Sequence, residues 1–179
     1  MPSIETLVTA RLSLRSLGLT DADFIYALVN EPDWLTYIGD KGVHNLEDAI
    51  RYIQTGPHAM YRQHGFGLMV VETLSEQRPI GLCGLLQRDN LSMPDLGFAF
   101  LAQARGQGYA LEAAKAVIDN MFEKTSVLLL AAITTKNNQP SMALLAKLGF
   151  VFKSLHHMDE KDAGSNLFEL SKADWLKTP

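Results

Sequence analysis

Polar and apolar residues alternate through Arg11-Leu12-Ser13-Leu14-Arg15, the period-two signature of a half-buried strand. Thr20-Asp21-Ala22-Asp23 has capping-box form, a hydroxyl for the orphan amides with a carboxylate three residues on, and predicts a helix that ends before Pro32. Residues 31 to 45 mix Pro32, Trp34, Tyr37, Gly39 and Gly42 and read as a shaped loop. Asn45 then caps a second helix through Ile53, kinked near Gly56-Pro57. Strand-like runs follow at 66–73, 79–87 and 93–101, separated by turn-prone residues such as Ser75, Asp89-Asn90 and Pro94, which predicts a meander.

The clearest helix comes next, with Glu112, Lys115, Asp119 and Glu123 on one stripe and Ala113, Val117 and Met121 facing inward. Val127 to Ile133 is apolar on both faces, as suits a central strand parallel to its predecessor. A short helix starts near Pro140 and stops at Gly149. Runs at 150–155 and 165–170 flank Asp162-Ala163-Gly164 and predict a terminal hairpin. The order β-α-α-β-β-β-α-β-α-β-β is α+β with one βαβ crossover, in a mixed, mostly antiparallel sheet of six to seven strands with about four helices. One domain over residues 1–179 is expected, since no internal repeat or low-complexity segment divides it.

Composition narrows the chemistry. The 179 residues are 47% hydrophobic and 20% charged, enough to bury roughly 70% of the extended-chain surface without staples. Sixteen basic and twenty acidic side chains give a formal charge of −4, too acidic for a protein whose affinity comes mainly from nucleic-acid phosphates. Cys83 is the single cysteine, which rules out an intrachain disulfide and a cysteine-rich zinc site and suits a reducing cytoplasm. No apolar run approaches the roughly 18 residues of a membrane span, and Met1 to Glu5 lacks a signal-peptide pattern, so a soluble, cytoplasmic protein with no membrane partner is expected. The five histidines, His44, His58, His64, His156 and His157, show no metal-ligand spacing, and no metal is expected. No Gly-x-Ser-x-Gly elbow supports serine hydrolase chemistry.

The informative junction is Leu96 to Ala110, a strand, a glycine turn at Arg105-Gly106-Gln107-Gly108, and a helix. A helix N-terminus offers unpaired amides and a partial positive charge, so glycines there let a pyrophosphate approach the backbone, with Arg105 as one added cation. The same glycines also suit a tight strand-to-helix connection with no ligand. Leu111 stands where a dinucleotide fingerprint needs a small residue, and the Lys-Ser or Lys-Thr pair of a P-loop is absent.

Gln103-x-x-Gly106-x-Gly108 followed by Tyr109-Ala110-x-Glu112-Ala113 resembles the acetyl-CoA-binding motif of the GNAT superfamily of N-acetyltransferases. Asn138-x-x-Ser141 through Lys147-Leu148-Gly149-Phe150 is similar to its second signature. Thr9-Ala10-Arg11-Leu12-x-Leu14-Arg15 and the Gly97-Phe98 strand look most like the branch that includes ribosomal-protein N-terminal acetyltransferases. The resemblance covers nearly the whole chain.

It implies a GNAT-like fold and acetyl-CoA as co-substrate, with the diphosphate on the amides of Arg105, Gly106, Gln107, Gly108, Tyr109 and Ala110. Backbone amides of Phe98, Ala99 and Phe100 would pair with the pantetheine arm and polarise the thioester carbonyl. It places Asn138 against the same arm, although helix capping ahead of Pro140 is its other role. Many members carry a tyrosine acid where this chain has Leu145; Ser141 matches the serine thought to serve in the ribosomal branch, and is otherwise a first-turn helix residue. The acceptor would be a small-molecule or peptide amine, and terminal strands of such folds often mediate homodimers. The segment with Trp34 and Tyr37 would cover the acceptor cleft, or else join the core.

The acceptor amine must be neutral to attack. An α-amino group of pKa about 7.7–8.0 is roughly one-tenth neutral at pH 7, so a weak base suffices. Asp95, opening the strand that would flank the acyl group, is the best carboxylate, with Glu72 second; capping a turn after Pro94 is the other role for Asp95. The expected activity is acetyl transfer to a primary amine. The alternative is a CoA-binding sensor or interaction module without turnover.

Overall fold

Eight strands form one sheet in the computed structural model, which describes residues 1–157, 159–160 and 162–179. They are β1 (Leu7–Val8), β2 (Leu12–Ser16), β3 (Leu68–Thr73), β4 (Pro79–Leu86), β5 (Asp95–Phe100), β6 (Leu129–Thr134), β7 (Val151–His156) and β8 (Ser165–Ser171). Their spatial order is β1-β2-β3-β4-β5-β6-β8-β7, antiparallel throughout except between β5 and β6. The helices are α1 (Ala22–Val29), α2 (Pro32–Tyr37), α3 (Leu46–Thr55), α4 (Pro57–His64), α5 (Tyr109–Lys124), α6 (Gln139–Lys147) and the single turn α7 (Lys172–Trp175).

The α+β class, the meander, the crossover and the terminal hairpin stand as expected. The counts of six to seven strands and about four helices are corrected upward. The two-residue β1 is too short to carry a periodic signal. Residues 31–45 are not all loop, because Pro32 starts α2 at its first turn, where a missing N–H costs nothing. The kinked second helix is two helices, broken at Gly56-Pro57. Asn45 caps α3 as predicted, its Oδ1 accepting from the Asp48 amide at 2.9 Å.

The start of α1 differs from the Thr20–Asp23 box. A 3-10 turn over Leu19–Asp21 comes first, and Asp21, not Asp23, reaches back to accept from the Gly18 amide at 2.8 Å. Asp21 can do so because Arg15 of β2 neutralises it, with Nη1 and Nη2 donating to its two oxygens at 2.8 and 2.9 Å. The same guanidinium binds Glu72 of β3 at 2.6 Å, so one cation ties two strands to a helix.

The sheet separates two cores. One face, with Leu14, Val71, Cys83, Leu96 and Phe100, packs against Ala114, Ile118 and Phe122 of α5. The other, with Val70 and Leu82, packs against Ile25, Trp34 and Ile53 of α1 to α3. Cys83 is fully buried in β4 and burial pushes its thiol pKa up to about 12. Residues along β5 therefore alternate between the cores: Leu96 and Phe100 meet α5, while Ala99, and Leu101 just past the strand, meet the α1–α3 side.

Candidate active site

β4 and β5 are registered over six residue pairs, but β5 and β6 share a single registered pair, Asp95 with Ala131. Near it the Ala131 amide donates to the Pro94 carbonyl at 2.9 Å. On its other edge β6 pairs with β8 along its whole length, and past the vertex the β6-facing edge of β5 has no strand partner among the described residues. The Leu101 amide donates to Ile80 of the β4 side at 2.9 Å, so by strand alternation Ala99 and Gly97 also turn their amides to β4. Phe98 and Phe100 turn theirs to the gap. Of the three residues expected to supply amides, Ala99 instead contributes a small side chain to the wall.

The glycine turn follows the open end of this gap. Gly106 and Gly108 have φ of +73° and +81°, left-handed values that glycine reaches without Cβ strain. The first i→i−4 bond of α5 runs from the Glu112 amide to the Gly108 carbonyl at 3.1 Å, so the amides of Tyr109, Ala110 and Leu111 have no helical acceptor. They open a helix of sixteen residues, whose dipole points at them. The Arg105 amide, by contrast, donates to the Ala102 carbonyl.

Side chains hold the turn in place. Arg11 donates from Nη1 to the Gln107 carbonyl at 2.9 Å and from Nε to Glu112 at 2.7 Å, and stacks on the Tyr109 ring. Arg105 donates to the Phe100 carbonyl at 3.0 Å and to Glu31 at 2.8 Å, and pairs with Asp33. Its guanidinium is thus committed to α2 and the segment before it, and its part at the turn is to lock the end of β5.

A cavity of about 750 Å³ joins these parts, lined at one end by Gly106, Gly108 and Ala110 and at the other by Asp95. Asn138 and Ser141 line it from the start of α6. Asn138 Oδ1 accepts from the Ser141 amide at 3.2 Å, so the capping role is realised, and the Ser141 hydroxyl has no partner among the described residues. Trp34, Tyr37 and Tyr52 form the wall on the α2–α3 side. Trp34 therefore serves both as core and as wall, and burial raises the Tyr52 phenol to about 12, keeping it a neutral hydroxyl.

Asp95 is 1% exposed yet lines this cavity. Among the described residues no hydrogen bond has its side chain capping a neighbouring turn. Arg88 Nε donates to both of its oxygens at 3.1 Å. Burial raises its pKa and the Arg88 charge opposes that shift, with the rise prevailing. Glu72, the second carboxylate expected at the site, is instead bound by Arg15 and is absent from the cavity wall.

Sequence reasoning missed Arg88, Arg11 and Lys41. Arg88 and Asp95 flank one hairpin connection with opposite charges, and that was a readable signal. Arg11 lies 101 residues from Glu112, a separation that no local pattern reveals. Among the described residues no cluster of three His, Cys, Asp or Glu could hold a metal, and no helix is long and apolar enough to cross a membrane.

The family model for the acetyltransferase (GNAT) domain matches residues 11–151. The chain belongs to the GNAT acetyltransferase family. As such it is an acetyl-CoA-dependent N-acetyltransferase, and the open β5 edge and glycine turn are the parts of this GNAT domain that fit the co-substrate: free amides at a helix N-terminus for a diphosphate and a strand edge for an amide-bearing arm. The chain is 28% identical over 165 residues to the N-acetyltransferase p20 of Bacillus licheniformis, covering 90% of each chain. It superposes on the acetyltransferase of Agrobacterium tumefaciens str. C58 with a TM-score of 0.81 at 25% identity, covering 95% of this chain and 96% of that one. The GNAT fold likeness extends to the ribosomal-protein-S5-alanine acetyltransferase of Vibrio fischeri, with TM-score 0.76, 18% identity, and 96% and 98% coverage.

Proposed function

We propose that this acetyltransferase moves the acetyl group to a primary amine, an α-amino group of a protein N-terminus or a small amine, by direct attack with both substrates bound. The observation that carries this reading is the continuous cavity between the free amides of α5 and the buried carboxylate of Asp95. Acetyl-CoA supplies an activated acyl thioester, whose thiolate is a tolerable leaving group because its pKa resembles that of cysteine, near 8.5.

The chain's own residues do the rest. Amides of the turn and first helical residues, Gly106 to Leu111, bind the diphosphate. The Phe98 and Phe100 main chain orients the arm, and the Phe98 amide opposes negative charge building on the carbonyl oxygen. Asp95 takes the amine proton, directly or through water, and its raised pKa makes it the stronger base. Once the amine nitrogen has bonded to the carbonyl carbon the C–S bond breaks; the Ser141 hydroxyl relays a proton from solvent to the departing sulfur and is itself reprotonated in the same transfer, while Asp95 gives up the amine proton to solvent. Asn138 holds the first turn of α6 so that this hydroxyl stays on the cavity wall.

The test combines calorimetric titration of CoA with thiol release over a panel of amines and peptides. Micromolar CoA binding with turnover of at least one amine is expected. No CoA binding at millimolar concentration would defeat the reading, and CoA binding without turnover across the panel would favour a sensor.

A further inference from the structure

The charges around the cavity are unevenly compensated. Glu31 and Asp33 are satisfied by Arg105. At the other end, Asp95 engages only the Nε edge of Arg88, leaving the two Nη groups without a hydrogen bond among the described residues. Lys41, from the segment after α2, lines the same cavity and has no ionic partner among the described residues. Lys41 and Arg88 line this one cavity, and desolvation and then the Arg88 charge both lower the Lys41 pKa. Around them Trp34, Tyr37 and Tyr52 supply aromatic wall.

This end of the cavity therefore offers a carboxylate and, beside it, two cations with free donors. An amine alone would satisfy only the first. An anion between Lys41 and the Arg88 fork would remove their repulsion and gain charge-assisted hydrogen bonds, while polycationic amines would add a third like charge.

We infer that the preferred acceptor is a small primary amine bearing an anionic group, a carboxylate or a phosphate, a few bonds from its nitrogen, with the anion held by Arg88 and Lys41 and the amine directed to Asp95. The inference rests on the acceptor reading given above and narrows it. Lys41 acts as a specificity residue: it selects the anionic acceptor and takes no part in moving the proton.

Binding tests it without reliance on turnover. Protein saturated with CoA is titrated calorimetrically with matched probes, glycine against glycinamide and 2-aminoethyl phosphate against ethanolamine. At least one anionic member should bind about ten-fold tighter than its neutral mate, the strength of a charge-assisted contact, and whichever pair shows the gain identifies carboxylate or phosphate as the source. Lys41→Met, at an exposed position, should shrink that ratio below about three-fold with CoA affinity unchanged. Equal affinity within both pairs, no binding by either anion up to about 20 mM, or a ratio unaltered by Lys41→Met would each overturn the inference. Loss of CoA binding in the unmodified protein would instead remove the acceptor reading, and the same paired titrations on the free protein would still decide the anion site.

Discussion

Arg11 Nε donates to Glu112 Oε2 at 2.7 Å, joining the turn before β2 to the first turn of α5 across 101 residues of chain. The Arg11 amide and the Thr9 hydroxyl also donate to Glu112, both to Oε1, at 2.9 and 2.7 Å. Since the Arg11 guanidinium also grips the Gln107 carbonyl, the pair positions the glycine turn. Glu112→Ala should raise the KM for acetyl-CoA about five- to ten-fold and change kcat less than about two-fold. Steady-state kinetics at saturating amine checks this.

The same carboxylate gives a pH signature. Burial pushes the Glu112 pKa up, but the hydrogen bonds from Thr9 and Arg11 outweigh it and the net shift lies below the ordinary 4.5. A carboxyl depressed on folding stabilises the protein above its unfolded pKa, and that contribution is lost as pH falls through the folded value. The difference in Tm between the unmodified protein and Glu112→Gln should therefore be present at neutral pH and vanish in acid, as thermal melts across pH would record.

Gly106→Ala separates backbone conformation from ligand contact. An added Cβ would meet nothing within 4 Å, yet φ is +73°. Left-handed backbone with a Cβ costs about 1–2 kcal/mol, or roughly 2–8 °C in Tm for a chain of this size. On the proposed reading the diphosphate sits at this turn, so the CoA dissociation constant should rise more than about ten-fold. A melt and a calorimetric titration on the same sample test it: a lowered Tm with unchanged CoA affinity would remove the turn from the binding site.

Asp95→Asn should lower kcat/KM for the amine by about 10² to 10³ and spare CoA affinity, the range for loss of a general base. Because burial lifts the Asp95 pKa against the opposing Arg88 charge, the acid limb assigned to it should fall above 3.8 and disappear in the variant. The sign for stability is the reverse of that for Glu112: a raised carboxyl costs stability as pH rises through its folded pKa. A pH–rate profile of both proteins measures the first effect, and denaturant titrations at several pH values the second.

Removing Arg15 would leave Asp21, 6% exposed, and Glu72 facing each other without a cation. Arg15→Ala should cost about 3 kcal/mol, as for an uncompensated buried charge, measured by urea unfolding. Adding Asp21→Asn and Glu72→Gln should recover part of that loss in a mutant cycle.

Much of this architecture was legible because local chemistry wrote it. Asn45, Pro140 and Gly149 mark helix ends through their own backbone preferences, and the inward stripe of α5 follows its period. α2 was obscured because Pro32 and the following glycines resemble loop until one sees that proline occupies a helical first turn. Thr20 had the right form for a cap, but Arg15 made Asp21 the better acceptor, and that partner lies on another strand. At the candidate site the glycine turn and Asp95 could be found from pattern. What Arg105 and Arg11 do there could not, since each is decided by carboxylates and carbonyls that the fold brings up from elsewhere.

The lone sulfhydryl of this chain bears on how its chemistry can be watched. Sealed inside β4 and held protonated at any working pH, Cys83 is invisible to colorimetric disulfide reagents while the molecule stays folded. Every equivalent of mercaptan such a dye detects during turnover is then released coenzyme, and a rising enzyme-only blank would itself report unfolding.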